Sequence, residues 1–294
     1  MRAVLVTRFG SPDVLQVAEV ERPDPISTEV LVRVIAAGVN PVDCKTRRGE
    51  GVARWLGPPP FIVGWDVCGT IEATGYGVTR FEVGDVVFGM PRFPRSAGGY
   101  AEYVTAPSRQ LARVPGGTSP EEAAALPLAA LTAWQCLVDA AQVRTGETLL
   151  VHGASGGVGH LAVQIASARG ARVIAGQHRA DREALAARNV DVALDLVGGG
   201  DTEALLATVR DGGILLAVAD GADEQLKAKA IQRSVRVVEP LVEPDGHSLE
   251  EIAKLVESGL LKVHVEEVFP LEQAARAHEA LERGGRKGKL VLRP

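Results

Sequence analysis

Ala154, Gly156 and Gly159 stand in the order A-x-G-x-x-G inside VHGASGGVGHLAVQ, the stretch from Val151 to Gln164. An apolar run, Leu149 to Val151, leads into the glycines. Val158, Leu161, Ala162, Ile165 and Ala166 then fall on one helical face, which Gly170 closes. A strand, a tight glycine turn and a helix in this order suit the pyrophosphate of a dinucleotide. Glycine at 156 lets the backbone approach the phosphates, glycine at 159 lets helix and strand pack closely, and the amides that open the helix face the negative charge. Ala154, Ser155, Gly156, Gly157, Val158 and Gly159 are the expected cradle. Glycines in such a turn also serve packing alone. The strand before, the amphipathic helix after and a second strand on schedule favour the cradle.

The end of that second strand reads the cofactor's ribose. An NAD enzyme presents a carboxylate there, about twenty residues past the fingerprint. In ARVIAGQHRAD the place belongs to Gly176, followed by Gln177, His178 and Arg179. Without the carboxylate there is no repulsion, and a nearby arginine can pair with a 2′-phosphate, so Gly176, His178 and Arg179 favour NADPH. A solvated loop is the other reading of His178 and Arg179.

The elements that must carry these residues change character along the chain. From Met1 to about Gly117, short apolar runs such as AVLV, EVLVRVIAAGV and GDVVFGM alternate with Gly, Pro and Asp turns, a pattern of strands. Ser119-Pro-Glu-Glu is a capping box that opens a helix, and Pro127 interrupts or ends it. Beyond it, strands and helices alternate to about Gly259: LLVHG, the fingerprint helix, ARVIAG, DREALAARN, VDVALDLVG, TEALLATVRDGG and ILLAVA. Such alternation predicts a parallel sheet with crossover helices. Ser248-Leu-Glu-Glu repeats the capping box, Gly259 stops that helix, and the remainder reads strand, helix, strand.

Composition narrows the function classes. A chain of 294 residues fits two domains of ordinary size. Its 32 basic and 37 acidic residues include no basic stripe, which argues against nucleic acid as a partner. Cys44, Cys68 and Cys136 are odd in number and scattered, unlike a disulfide framework, so a reducing, cytoplasmic setting is expected. No apolar run reaches membrane-spanning length.

AAGVNPVD, GGYAEYV, ALPLAALTAW, HGASGGVG, LDLVGG and GKLVL occur in this order over nearly the whole chain. Together they resemble the medium-chain dehydrogenase/reductase superfamily, specifically its zinc-free quinone oxidoreductase branch. The resemblance implies an α/β protein with a GroES-like, mainly β catalytic domain over 1–117, a Rossmann domain over 118–260 and a C-terminal return to the catalytic domain over 261–294. It also implies a cleft where NADPH reduces a quinone or an activated alkene. A homodimer is the expected assembly, superfamily members being often dimers or tetramers.

The resemblance places Asn40 and Asp43 in the cleft near the nicotinamide, Thr132 beside the ring, and Val197 and Lys289 at cofactor-binding positions. Asn40 would donate to a carbonyl oxygen that gains charge as hydride arrives; alternatively, Asn40-Pro41 shapes a turn. Thr132 would fix the ring, or it opens a helix. Tyr100 and Tyr103 would relay a proton, or Tyr-Ala-Glu-Tyr is a strand with both rings on one face. The basic run from Arg283 to Lys289 also reads as solvated surface. Where the superfamily's alcohol dehydrogenases carry a zinc-binding cysteine and histidine, this chain has Asn40 and Trp65, so no metal is expected. Cys136, on an apolar segment, reads as a buried small hydrophobe.

Between Arg179 and Val192 there is room for a single helix, whereas the family fits a helix, a strand and a second helix there. The Rossmann sheet is therefore expected to be one strand short. Two functions follow: an NADPH-dependent reductase of quinones or α,β-unsaturated carbonyls, or a cofactor-binding protein that keeps the fold for a redox-sensing or crystallin-like role.

Overall fold

The computed structural model describes residues 1–176, 189–199, 201–285 and 287–294. They fall into two units, Met1–Leu131 with Glu243–Gly259 and Val263–Pro294, and Thr132–Val242 with Leu260–Lys262.

The first unit begins with β1 (Arg2–Val6), β2 (Leu15–Glu19) and β3 (Glu29–Val39), followed by helices α1 (Pro41–Arg47) and α2 (Ala53–Leu56). Strands β4 (Phe61–Ile62), β5 (Val67–Thr74), β6 (Val86–Gly89), β7 (Tyr103–Pro107) and β8 (Leu111–Arg113) complete its first pass. Helix α3 (Pro120–Ala125) opens with the expected capping box, Ser119 Oγ accepting from Glu122 N. Pro127 then starts a new helix, α4 (Pro127–Trp134), which runs on as a π-helix over Gln135–Ala140.

The second unit holds β9 (Thr148–His152), α5 (Gly159–Ala168), β10 (Arg172–Gly176), β11 (Val190–Asp195), α6 (Asp201–Thr208), β12 (Val209–Ala217), α7 (Glu224–Gln232) and β13 (Arg236–Val238). The helix expected over TEALLATVRDGG ends at Thr208, where β12 already begins. Most of DREALAARN lies outside the described residues. The chain then returns to the first unit through α8 (Gly246–Glu257), β14 (Val265–Pro270), α9 (Ala274–Glu282) and β15 (Lys289–Arg293). Helix α8 is capped by Asp245 and not by Ser248. The Asp245 carboxylate accepts from the backbone N–H groups of both His247 and Ser248, and the Ser248 hydroxyl also donates to it. A carboxylate that can take all three donors outcompetes a hydroxyl for the cap.

In the first unit β3 is the organising strand, buried along most of its length. One edge pairs with β5 from Val30 to Ala37; the other pairs with β7 over Glu29–Arg33 and with β15 over Ala37–Val39. The core packs Val30, Val32, Ile71, Val87, Tyr100, Phe269 and Leu290. Gly38 is a glycine because a Cβ there would stand 2.4 Å from Ala124 O of α3 and 2.9 Å from Asp66 Cβ.

In the second unit the strands form a parallel sheet in the order β10-β9-β11-β12-β13. Leu150, Ala193, Leu205, Leu215 and Leu226 fill its core. Chain order reverses at β9, whose neighbours β10 and β11 both follow it. Ligands bind at the carboxyl ends of strands at such a switch point. In the usual Rossmann order a further strand lies beyond β10; among the described residues β10 is the edge, as the short segment predicts.

Candidate functional site

The site residues gather in two groups, one in each unit. In the first unit, Val39 pairs with Leu290, so the next step of this antiparallel register sets Asn40 across from Lys289. Asn40 follows directly on β3 and caps α1, with Pro41 in the first helical position. Lys289 Nζ donates to Asn40 Oδ1 and lies 3.5 Å from Asp66 Oδ2. Asn40 Nδ2 donates to Asp66 Oδ2 at 2.9 Å, and Leu128 N donates to Asp66 Oδ1 at 2.7 Å. All three side chains are buried. Burial raises the Asp66 carboxyl and lowers the Lys289 ammonium, each opposed by the other's charge. Three donors converging on Asp66 favour its ionised form, so Lys289 and Asp66 stand as an ion pair.

Asp43 Oδ2 accepts from Asn40 N at 2.7 Å and from the Tyr100 hydroxyl at 3.0 Å, whereas Oδ1 is buried without a partner. Burial, against these two donors, pushes the carboxyl up to about 7. Tyr100 lies in the loop before β7, which begins only at Tyr103, and residues three apart face opposite sides of a strand, so the reading with both rings on one face fails. Tyr103 instead stacks against the Arg22 guanidinium. The solvated reading of Lys289 also falls, since the side chain is 4% exposed. Thr132 is buried in the second unit, six residues into α4, and is not a helix-start residue.

In the second unit the fingerprint follows β9 at the switch point. Gly153 N donates to Gly176 O at 3.0 Å, and Leu196 N donates to His152 O at 3.2 Å, which brings the ends of β9, β10 and β11 together. A Cβ on Gly159 would meet Gly153 O at 2.1 Å and Ala154 Cα at 2.7 Å, so this glycine sets the close approach of α5 to the turn. On Gly156 a Cβ would meet only Gly153 O, at 3.3 Å. A side chain at 156 is therefore crowded by one backbone oxygen, far less than at 159, and its absence leaves the turn's backbone bare for an approaching phosphate. Val197 is 52% exposed beside the turn, its Cγ2 lying 3.0 Å from where a Gly153 Cβ would stand. Buried Gly176 ends β10 without a carboxylate. His178 and Arg179 lie outside the described residues.

The loop that presents Val197 is organised by Asp195, whose importance the sequence does not reveal. It accepts from Val197 N, Gly198 N and the Thr202 hydroxyl at 3.1, 3.0 and 2.7 Å, and His152 Nδ1 lies 3.2 Å away. Burial alone would raise this carboxyl; these donors hold it at about 2. Asp66, His278 and Arg47 were likewise invisible, because their partners are remote in sequence. LDLVGG, an aspartate before a glycine turn, was the one local signal available.

The metal-ligand positions do not fit zinc. Trp65 is fully buried, its indole N–H donating to Arg95 O at 2.7 Å and its ring edge-on to Phe93. The Asn40 amide oxygen is taken by an ammonium, a cation where a metal would need donor atoms. Among the described residues no cluster of His, Cys, Asp and Glu could hold a metal ion. Cys44, Cys68 and Cys136 are free and buried, and burial pushes the Cys136 thiol up to about 12.

Comparison with known proteins agrees with the two-part architecture. Residues 26–116 match the alcohol dehydrogenase GroES-like domain, and residues 169–292 match the zinc-binding dehydrogenase family model. Quinone oxidoreductase from Lama guanicoe is 32% identical, with 99% of this chain and 97% of that protein covered. That alignment runs over 327 positions although this chain has 294 residues, in keeping with a shortened segment. Among solved structures, quinone oxidoreductase from Coxiella burnetii is 32% identical, covers 100% of this chain and 99% of its own, and has a TM-score of 0.90. A mycobacterial protein solved with NADPH is 31% identical, with both chains fully covered and a TM-score of 0.88. A GroES-like domain joined to a Rossmann domain defines a dehydrogenase/reductase architecture. The chain belongs to the medium-chain dehydrogenase/reductase superfamily, in its zinc-free quinone oxidoreductase-like branch.

Proposed function

We propose that this chain uses NADPH to reduce a quinone or an α,β-unsaturated carbonyl without a metal. The observation that carries the reading is the glycine turn at the switch point, where Gly156 puts no side chain between its backbone and a phosphate and Gly176 offers the ribose no carboxylate. The names of the relatives support the acceptor class, and the mycobacterial structure supports the cofactor.

Ala154, Ser155, Gly156, Gly157, Val158 and Gly159 would hold the pyrophosphate, Val197 would flank the cofactor, and His178 with Arg179 would meet the 2′-phosphate. NADPH, when bound, supplies the hydride. Asn40, with one amide hydrogen engaged by Asp66, keeps a second to donate to an acceptor oxygen that gains charge. Asp43 holds the Asn40 backbone, Lys289 fixes its amide orientation, and Thr132 is the proposed contact to the nicotinamide.

The assembly we propose is a cytoplasmic homodimer, the setting being supported by three free cysteines. Among the described residues no helix is long and apolar enough to cross a membrane. The deciding experiment is NADPH oxidation against quinones, enones and aldehydes, with NADH in parallel and light scattering for the assembly. Turnover of quinones or enones is expected. NADPH binding with no turnover of any acceptor would instead favour a non-catalytic protein.

A further inference from the structure

Inside the first unit, Arg47, His278, Tyr100 and Asp43 stand in a single file of hydrogen bonds. Arg47 Nη1 lies 3.2 Å from His278 Nδ1, His278 Nε2 lies 3.2 Å from the Tyr100 hydroxyl, and that hydroxyl donates to Asp43 Oδ2 at 3.0 Å. The direction of each bond follows from Arg47. A guanidinium can only donate, so Nδ1 must accept, and the proton of the neutral ring sits on Nε2. Nε2 then donates to the tyrosine oxygen, leaving the hydroxyl hydrogen for Asp43. Burial, reinforced by the Arg47 charge, lowers His278 to about 3, which keeps the ring in this neutral form.

Arg47 is held at the outer end by Glu282 Oε1 at 2.7 Å and Gly10 O at 3.0 Å. Tyr100 and His278 meet edge to face, with ring centroids 5.7 Å apart. Because arginine does not release its proton, the file does not conduct protons from outside; it orients a donor toward Asp43.

We propose that Tyr100, oriented by His278 and Arg47, is a positioning residue that keeps Asp43 ionised, and that ionised Asp43 fixes Asn40 for its role at the acceptor. The Asn40 step rests on the function proposed above; the Tyr100 step does not. Asp43 feels Asp66 from the link between β4 and β5, Lys289 from β15, Tyr100 from the loop before β7 and Cys44 from its own helix, while His278 and Glu282 of α9 and Arg47 of α1 stand behind Tyr100 and Cys44. Asp66 and burial favour the neutral acid, whereas Lys289, Asn40 N and Tyr100 favour the carboxylate. With Oδ1 unpartnered, the carboxylate relies on two donors to Oδ2, and the loss of one must be felt.

The test is Tyr100→Phe in the full chain, which keeps the ring and removes only the hydroxyl. Aspartate labelled with carbon-13 at the carboxyl, with the Asp43 signal assigned through Asp43→Asn, gives the titration midpoint directly by NMR. We expect a midpoint near 7 in the wild type and one higher by about one to two pH units in the variant. The acid limb of kcat/KM for NADPH oxidation should move with it, and activity should recover at higher pH. His278→Phe should shift both in the same direction by less, since Tyr100 keeps its hydroxyl but loses its orientation. An unchanged midpoint overturns the proposal, as does a rate lowered equally at every pH. Should the wild type turn over no acceptor, the proposed function fails, and the NMR titration still decides the relation of Tyr100 to Asp43.

Discussion

Lys289 donates its ammonium hydrogen to the amide oxygen of Asn40, a residue 249 positions earlier in the chain. Lysine has no acceptor to offer and the Asp66 carboxylate no donor, so the two contacts together decide which way the amide faces, with Nδ2 turned to Asp66. The three side chains form one unit in which each depends on the others.

Removing the cation tests that unit. Lys289→Met should leave the Asp66 carboxylate buried without its counter-charge and lower stability by about 3–5 kcal/mol. Urea denaturation at neutral pH measures it, and Asp66→Asn added to the variant should recover part of the loss. A loss of only a few tenths would mean that Lys289 does not hold the pair.

The two glycines of the turn should respond differently. Gly159→Ala drives a methyl against Gly153 O and should destabilise by about 1–3 kcal/mol. Gly156→Val crowds only Gly153 O, at 3.3 Å from its Cβ, so it should lower Tm less than Gly159→Ala while NADPH affinity collapses. An equal loss of Tm in both variants, or intact NADPH binding by folded Gly156→Val, would remove the phosphate from this turn.

Cofactor preference should follow Gly176 and Arg179. NADPH should bind better than NADH on the order of ten- to a hundredfold, the range expected of one hydrogen-bonded charge contact. Titrations of wild type and Arg179→Ala with both cofactors decide the point. The ratio should narrow in the variant; a preference that survives it unchanged would return Arg179 to the solvated surface.

Acid should weaken the fold through two groups and strengthen it through a third. His278 is depressed from 6.5 to about 3, so its contribution is present above 6.5 and is lost as pH falls toward 3. Asp195, depressed from 3.8 to about 2, contributes above 3.8 and loses that contribution as pH falls toward 2. Asp43, raised from 3.8 to about 7, works in the opposite sense: its contribution is complete below 3.8 and is lost as pH rises through 7. Denaturation midpoints across pH for His278→Phe, Asp195→Asn and Asp43→Asn should each lose the slope in the matching window. A variant whose slope matches the wild type there removes that group from the account.

Features within a few residues of one another were open to sequence reasoning. The fourteen residues from Val151 to Gln164 contain their own strand end, turn and helix start, so their placement follows from local periodicity and from glycine's lack of a Cβ. The capping box at Ser119 is equally local. That β10 is the sheet's edge among the described residues could be anticipated from the short segment between Arg179 and Val192, set against the family's usual length.

Competition and distance decided the rest. Ser248 has the spacing of a cap, yet Asp245 takes the role because a carboxylate accepts more donors at once. Tyr-Ala-Glu-Tyr reads as strand from composition, but Tyr100 is drawn into the core by Asp43 and His278, partners separated from it by 57 and 178 residues. Lys289 sits in a basic run that reads as surface, and only the antiparallel register of β15 on β3 sets it beside Asn40. No local pattern encodes that register, because the order of strands in a sheet is settled by which apolar faces bury one another. The sequence by itself thus determined the glycine turn between β9 and α5 and the family. The tertiary structure decided the charge state, orientation and partners of the groups around Asn40, since each depends on a donor or a charge brought from a distant part of the chain.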